Sequence, residues 1–336
     1  MSKRAVRLRE AEILRDRLRD FGAEEGGDYG YGYGYGYGYG YGGGDGFNLS
    51  RPRAVTGPPV YAIGRVEWKY PSTGVKMEVA QAIKRTANPL LPDPVLRDAE
   101  NKPGDVSIEL SKGHYYLMRQ FCWVLTLNRV EIYILQPRDS AGFEMIADAV
   151  QKNVGSKDRY LNVVVGVRGP VAPPQMCRGL RLPIVTCDQI FSIDIDGSLP
   201  KIGDAVKSKL AGKTPSITPP TDLDERIKHI YERTTQVAHN TGVSDRHRAL
   251  NYLAVRYGDL YTEAVSYCAD DKAFLSGVEV RRSRQSGVRR IVDVVFAFTN
   301  STSNVMRKFF VRVDVTERFP FLVTPWSEYS EYYDRS

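Results

Sequence analysis

"KGHYYLMRQFCWVLTL", residues 112–127, is the stretch on which the fold of this chain turns. It is densely apolar, and periodicity alone does not separate a buried helix from a buried strand in such a run. We read a helix from about His114 into Trp123. The flanking segments then alternate. "VYAIGRVEW" (60–68) is a strand, 74–86 a helix, and 89–107 a Pro-rich loop. "VEIYILQP" (130–137) is a buried strand and 141–152 a helix. "RYLNVVVGVRGP" (159–170) and "LPIVTCDQIFSID" (182–194) are two strands around a Pro-rich loop. Such alternation predicts an α/β-like layer over residues 58–200.

Beyond it, residues 197–221 hold four prolines and several glycines and read as a linker, bounded at 201–221. A helix over 222–239 follows, ended by Asn240, Thr241 and Gly242. Ser244 caps a second helix, 245–269, with Leu250, Leu253, Tyr257, Leu260, Ala264 and Cys268 on one face. Three strands, joined by hairpin loops at "RQSG" (284–287) and "NSTSN" (300–304), complete an αα-βββ lobe over 222–325, with a tail at 326–336. The fold class predicted is α+β.

Ahead of the globular part, residues 3–21 read as an amphipathic helix with Leu8, Ala11, Leu14, Leu18 and Phe21 at three- and four-residue spacing, inside a leader-like segment 1–22. Alone in water such a helix is marginal, so it is expected to dock on something. Residues 23–57 form a tract and linker dominated by seven Tyr-Gly dipeptides, with no core-forming pattern, and disorder is predicted.

The chain has 336 residues, 42% of them apolar, and a net charge of +7. A mild basic excess does not point to nucleic acid. No apolar run approaches a membrane span, and "MSKRAVRLREAEILRDRL" lacks the apolar core of a secretory signal. The four cysteines, Cys122, Cys177, Cys187 and Cys268, are dispersed without a CxxC pair, which predicts reduced thiols in a cytoplasmic protein. His229 with His239, and His114 with Cys122, lack metal-ligand spacing, and no cofactor motif is present.

The patterned segments "VYAIGRVEWKYPSTGVKMEVAQAIKR" (60–85), "FCWVLTLNRVEIYILQPRD" (121–139), "RALNYLAVRYGDLYTEA" (248–264) and "VEVRRSRQSGVRRIVDVVFAFTNSTSNVMRKFFVRVDVTE" (278–317) resemble the C-terminal region of the cyanobactin (patellamide-type) maturation proteases, over roughly residues 58–325. That region is a domain of unknown function behind a subtilisin-like protease. The catalytic Asp, His and Ser motifs of a subtilisin are not found here, so the resemblance implies peptide natural-product biosynthesis without proteolysis.

Candidate sites are sparse. Cys122 and Cys268 fall on apolar stripes and read as core. Cys177 sits in "GVRGPVAPPQMCRGL" (166–180) with Arg168 and Arg178 near in sequence. Arginines there bind a carboxylate or lower a thiol pKa, against the plain reading of a stiff solvated loop. Arg281, Arg282, Arg284, Arg289 and Arg290 bracket a hairpin and read first as a solvated face. Arg246, His247 and Arg248 stand at a helix N-terminus, where cations oppose the dipole unless a carboxylate such as Asp245 or a partner offsets them. Binding candidates are therefore Arg168, Cys177, Arg178 and Arg246. No nucleophile–base pair is legible.

A docking helix, an acidic Gly-rich spacer and identical short repeats have the layout of a leader and core in a ribosomally made, modified peptide. The Tyr-Gly unit resembles the target of radical-SAM spliceases, which places candidate modification at Tyr29, Tyr31, Tyr33, Tyr35, Tyr37, Tyr39 and Tyr41. The expected function is a non-catalytic pathway protein, with the tract as substrate and the globular part as a recognition or scaffold module. The alternative is an enzyme of unrecognised type with a flexible linker. Expected partners are a peptide-modifying enzyme, a radical-SAM splicease being one candidate, or a maturation protease, and a homodimer covering open sheet faces or edges. No membrane partner is expected.

Overall fold

A computed structural model describes residues 57–86, 115–153, 159–212, 222–235 and 240–330. All belong to one compact unit, Ala54–Ser336. The expectations for the 3–21 helix, the Tyr-Gly tract and the 89–107 loop lie outside the described residues.

The chain is α+β, and its described residues form two sheets. The first half runs β1 (Pro59–Lys69), α1 (Thr73–Thr86), α2 (Tyr115–Met118), β2 (Cys122–Leu127), β3 (Val130–Pro137), α3 (Ser140–Asn153), β4 (Tyr160–Val171) and β5 (Pro183–Asp194). Its strands close into a barrel, β1-β2-β3-β5-β4, with β4 returning to β1. Every pairing is antiparallel except β3 with β5. The expected layer is thus a barrel: α3 carries the chain from β3 to β4, and the β4–β5 hairpin brings β5 back beside β3.

The deciding stretch differs from the helix expected over 114–123. Only Tyr115–Met118 turn helically, and Cys122–Leu127 is strand. β2 pairs with β1 on one side and β3 on the other. Residues from Cys122 through Thr126 are all buried, so β2 is covered on both faces. A strand buried this way reads as a continuous apolar run and shows no alternation. Its hairpin to β3 turns on Asn128 (φ 50°) and Arg129 (φ 66°), two successive left-handed residues suited to a tight two-residue turn.

Alternate residues of β1 part to two cores. Val60, Ala62, Val66 and Trp68 join Leu125, Leu135 and the α3 residues Phe143 and Ile146. Tyr61 and Ile63 face the other way with Val163 and Val165, against Ala254.

The second half is α4 (Ile195–Ala211), α5 (Leu223–Thr235), α6 (Asp245–Arg256), α7 (Asp259–Asp270) and the sheet β6 (Ala273–Arg282), β7 (Ile291–Asn300), β8 (Met306–Asp314), β9 (Phe321–Glu328), in that order and antiparallel throughout. Three expectations are corrected. Residues 195–211, of which 197–211 read as linker, are helix. The Asp194 side chain accepts from Gly197 N at 3.0 Å and caps it. The helix tolerates Pro200 because it buries Gly203, Val206 and Leu210. The helix expected over 245–269 breaks at Tyr257 and Gly258. The strands number four, because Phe321–Glu328 pairs with β8 despite Pro325. A Pro is tolerated on an edge strand, where its missing amide faces away from the ladder.

The two halves are joined by backbone. Tyr61 N donates to Gly242 O at 2.9 Å, and Asn251 Nδ2 donates to Tyr61 O at 2.9 Å. Gly242 sits at φ 72°, and a Cβ there would stand 2.5 Å from the Tyr61 carbonyl oxygen, so only glycine fits. The β8–β9 turn reaches the barrel through Arg318 Nη1 on Asp188 Oδ2 at 2.7 Å, while Arg138 holds the other oxygen at 2.6 Å.

The thiol expectation also changes. Cys122 and Cys177 form a disulfide, with Cα atoms 5.6 Å apart across a separation of 55 residues. Dispersed spacing carries no information about which cysteines the barrel brings together. Cys187 and Cys268 are free and buried.

Candidate functional site

A cavity lies where the barrel's outer face meets α4 and α5. It encloses about 990 Å³. Leu161 of β4 and Ile193 of β5 form one wall, Leu199 and Ile202 of α4 another, and Ile227 and Tyr231 of α5 a third. Most of these side chains are only half-buried, so apolar surface is left facing the groove. A second cavity of about 560 Å³ shares Asn128, Leu161, Ile195 and Tyr231 with it and is more polar, lined by Thr126, Arg129, Thr235, Asn240 and Asn251 among others. The two read as one bent groove with an apolar chamber and a polar arm.

Local chemistry fixes the chamber's mouth. Arg159 grips Asp194 with two hydrogen bonds, Nε to Oδ1 at 3.1 Å and Nη2 to Oδ2 at 2.8 Å, and Ile195 N donates to Arg159 O at 2.9 Å. The start of β4 is thereby tied to the start of α4. Arg159 and the Gly197 amide hold the Asp194 carboxyl below its ordinary range. In the polar arm, Asn240 and Asn251 bond each other reciprocally, Asn240 Nδ2 to Asn251 Oδ1 at 2.7 Å and Asn251 Nδ2 to Asn240 Oδ1 at 3.2 Å.

Tyr231 is one of the polar groups lining the chamber. Burial pushes its phenol up to about 12, so it stays a donor at neutral pH. Its hydroxyl has no hydrogen-bond partner among the described residues. The neighbouring Tyr261 hydroxyl is already committed to Ala254 O at 2.6 Å. At the rim, Lys201 and Lys228 are exposed and have no ion partner among the described residues, and Asp196 and Glu232 stand beside them. A ligand suited to this groove has an apolar body, a carbonyl for Tyr231 and some charge for the rim.

The residues singled out from sequence do not assemble there. Tyr29, Tyr31, Tyr33, Tyr35, Tyr37, Tyr39 and Tyr41 lie outside the described residues. Arg168 is exposed on β4, where its backbone pairs with β5, and Arg178 donates to Thr73 Oγ1 at 3.2 Å. Cys177 is bonded to Cys122 and is not a thiol. Arg246 is exposed at the start of α6. Its neighbour Arg248 is fully buried and donates to the carbonyls of Val315 (2.6 Å), Glu317 and Arg318. Those carbonyls offset the unfavourable placement of a cation at a helix N-terminus, and burial draws the guanidinium down to about 10. Three of the five hairpin arginines are held in ion pairs: Arg281 with Glu279, Arg289 with Asp314, and Arg290 with Asp245.

A third cavity of about 240 Å³ is lined by His229 and Cys268 among others, but burial pushes the Cys268 thiol up to about 11. Cys187 is likewise pushed up to about 12, so neither free thiol is held as a nucleophilic thiolate. Among the described residues no three His, Cys, Asp or Glu side chains group as metal ligands. No helix among them is long and apolar enough to cross a membrane.

The sequence did not reveal the groove, because its walls come from residues far apart in the chain. The one available signal was the apolar spacing of Leu199, Ile202, Val206 and Leu210 inside a segment rich in Pro and Gly.

Comparison with known proteins gives three findings. Residues 59–172 match the family described as PatG Domain, and residues 218–329 match PatG C-terminal. A solved structure, "PatG Domain of Unknown Function", superposes with a TM-score of 0.62 at 19% identity, covering 82% of this chain and 100% of that one. No curated protein matches.

Proposed function

We propose, from a chain that belongs over residues 59–172 and 218–329 to the PatG domain families of the cyanobactin proteases, that this protein is a non-catalytic, peptide-recognising member of a pathway for ribosomally made, modified peptides. The family makes the globular part a domain of that kind of pathway. The finer reading is that the groove binds a pathway peptide and that the Tyr-Gly tract is the segment to be modified.

The observation that carries the recognition role is Tyr231. A half-buried phenol facing the chamber without a hydrogen-bond partner among the described residues is suited to a peptide carbonyl, with apolar side chains lodged among Leu161, Leu199 and Ile202. A site that hydrogen-bonds its ligand discriminates strongly against groups that leave such a donor unpaired. Lys201 and Lys228 suit acidic side chains on the same peptide. The tract suits modification because its repeats present an identical target many times, close to any enzyme held by the rest of the chain.

The test is mass spectrometry of the full chain co-produced with its genomic neighbours. Mass changes confined to the seven tyrosines from Tyr29 to Tyr41 are expected. Unchanged tyrosines overturn the substrate role. Leu199→Glu with Ile202→Glu, which puts charge into the chamber, is expected to lower modification at least about tenfold with the thermal midpoint little changed. Full modification in that variant removes the groove from recognition.

A further inference from the structure

The β4–β5 connection holds a backbone that its sequence does not favour. Cys177 (φ 52°), Arg178 (φ 58°) and Gly179 (φ 82°) are three successive left-handed residues. Only the last is glycine. Left-handed non-glycine residues persist where the surroundings over-determine them.

Few contacts impose this turn. Arg178 Nη2 reaches Thr73 Oγ1 at 3.2 Å, Leu180 N donates to Cys177 O at 3.2 Å, and Met176 N donates to Pro173 O at 3.0 Å. At the base of the connection Ala172 N donates to Leu182 O at 2.8 Å, and the Cys122–Cys177 disulfide ties the turn itself. Cys122 is fixed by the β1–β2 register opposite Lys69, so the bond fastens the connection to the barrel wall. Beneath it lies a small apolar cluster, Ile134 and Ala172 with Met176, Leu180, Leu182 and Ile184. This is the end of the barrel where β4 finishes and β5 begins, away from the groove, which opens at the start of β4 and the end of β5.

We propose that the Cys122–Cys177 disulfide is a redox-operated clip: reduction by a dithiol lets the 172–182 connection leave its left-handed turn and uncovers the apolar cluster. Both sulfurs belong to buried residues, Cys177 at 8% and Cys122 at 5% exposure; Cys177 is the one attacked, because its neighbours Pro174, Gln175 and Arg178 are exposed while Cys122 lies in a covered barrel strand. A thiolate of the reductant bonds to Cys177 Sγ and expels Cys122 as thiolate. The second thiol of the reductant then displaces Cys177. The protein gains two electrons and two protons, and the reductant leaves as its own disulfide. A disulfide that holds an unfavourable backbone differs from a passive staple in that its loss changes local conformation while the rest of the fold stays in place. The β4–β5 ladder reaches only the base of the connection, where Ala172 N donates to Leu182 O at 2.8 Å, so the barrel survives the opening of the turn beyond it.

The experiment compares oxidised and dithiothreitol-reduced full chain by alkylation mass spectrometry and amide hydrogen exchange. Reduction is expected to add two alkylatable thiols and to speed exchange of peptides within 172–182 at least about tenfold, with β4 residues 163–167 unchanged and the original pattern restored by oxidised glutathione. Arg178→Gly, which relieves the second left-handed position, is expected to shrink the difference between the two states. Thr73→Ala, which removes only the partner of Arg178, is expected to leave it intact. Equal exchange in 172–182 in both states overturns the proposal. So does a speeding that spreads through the barrel, or the absence of a disulfide in the oxidised protein.

Discussion

The two sheets solve the same problem in different ways. In the barrel every strand has a neighbour on both sides, so no edge is left to protect. The β6–β9 sheet is open, and its β9 edge is guarded by separate devices. Pro325 removes one donor. Tyr252 Oη accepts from Leu322 N at 3.2 Å and Tyr257 Oη from Trp326 N at 3.0 Å. Both tyrosines come from the α6 segment, which also supplies Arg248 to the carbonyls of the β8–β9 turn. A closed sheet is stabilised by its own ladder, whereas an open one depends on clamps brought by a packed helix. The barrel is accordingly insensitive to side chains at its rim, and the open sheet is sensitive to a few on α6.

Arg248→Met gives the largest expected break in that contrast. It leaves the buried Val315 carbonyl and the part-buried carbonyls of Glu317 and Arg318 without this donor, and a loss of about 2 kcal/mol in chemical denaturation is expected. The loss should centre on β8 and β9, with barrel amides retaining their protection in hydrogen exchange. Equal loss of protection in both sheets refutes the division of roles.

Tyr252→Phe with Tyr257→Phe is smaller per residue. Each change strips one edge amide of its acceptor, at about 1 kcal/mol apiece. Sedimentation should also show concentration-dependent association through the bared β9 edge. A double variant that stays as dispersed as the parent shows that Pro325 alone guards the edge.

The smallest effect is expected at Asp194, which joins the barrel to α4. Its carboxyl is held below the ordinary 3.8 by Arg159 and the Gly197 amide. A depressed acid contributes stability above its unfolded pKa and loses it as the pH falls through the folded value. The Gly197 amide resonance should therefore keep its native position down through pH 4 and move only below it. Asp194→Asn should lower the thermal midpoint slightly at pH 7 and not at all once the parent carboxyl is protonated. A shift of Gly197 at the ordinary carboxylate pKa would mean that the cap is not formed.

Much of the fold was legible in residues that repeat on one face. The strands at 60–68, 130–137, 159–170 and 182–194, the helices at 74–86 and 141–152, and the loops at 284–287 and 300–304 follow from alternation, helical spacing and turn residues. The misreadings share a cause. Cys122–Leu127 lost its alternation because both faces are covered. Residues 195–211 lost their helical signal to Gly197, Pro200 and Gly203, which the Asp194 cap and buried packing override. Arg248 looked like a surface cation, because carbonyls some seventy residues away are invisible to local charge counting.

The candidate site was less legible than the fold. Arg168, Cys177, Arg178 and Arg246 were singled out by neighbours in sequence, and they do not share a site. Sequence by itself determined the α+β class and most element types, since those rest on periodicities within ten or twenty residues, and it carried the family likeness in whole segments such as 60–85 and 278–317. Only the tertiary structure decided that the first sheet closes, that Cys122 meets Cys177, and that Leu161, Leu199 and Tyr231 wall one groove. Each of those is a contact between segments distant along the chain, and it depends on which strands pair, a choice that burial of the whole core makes at once.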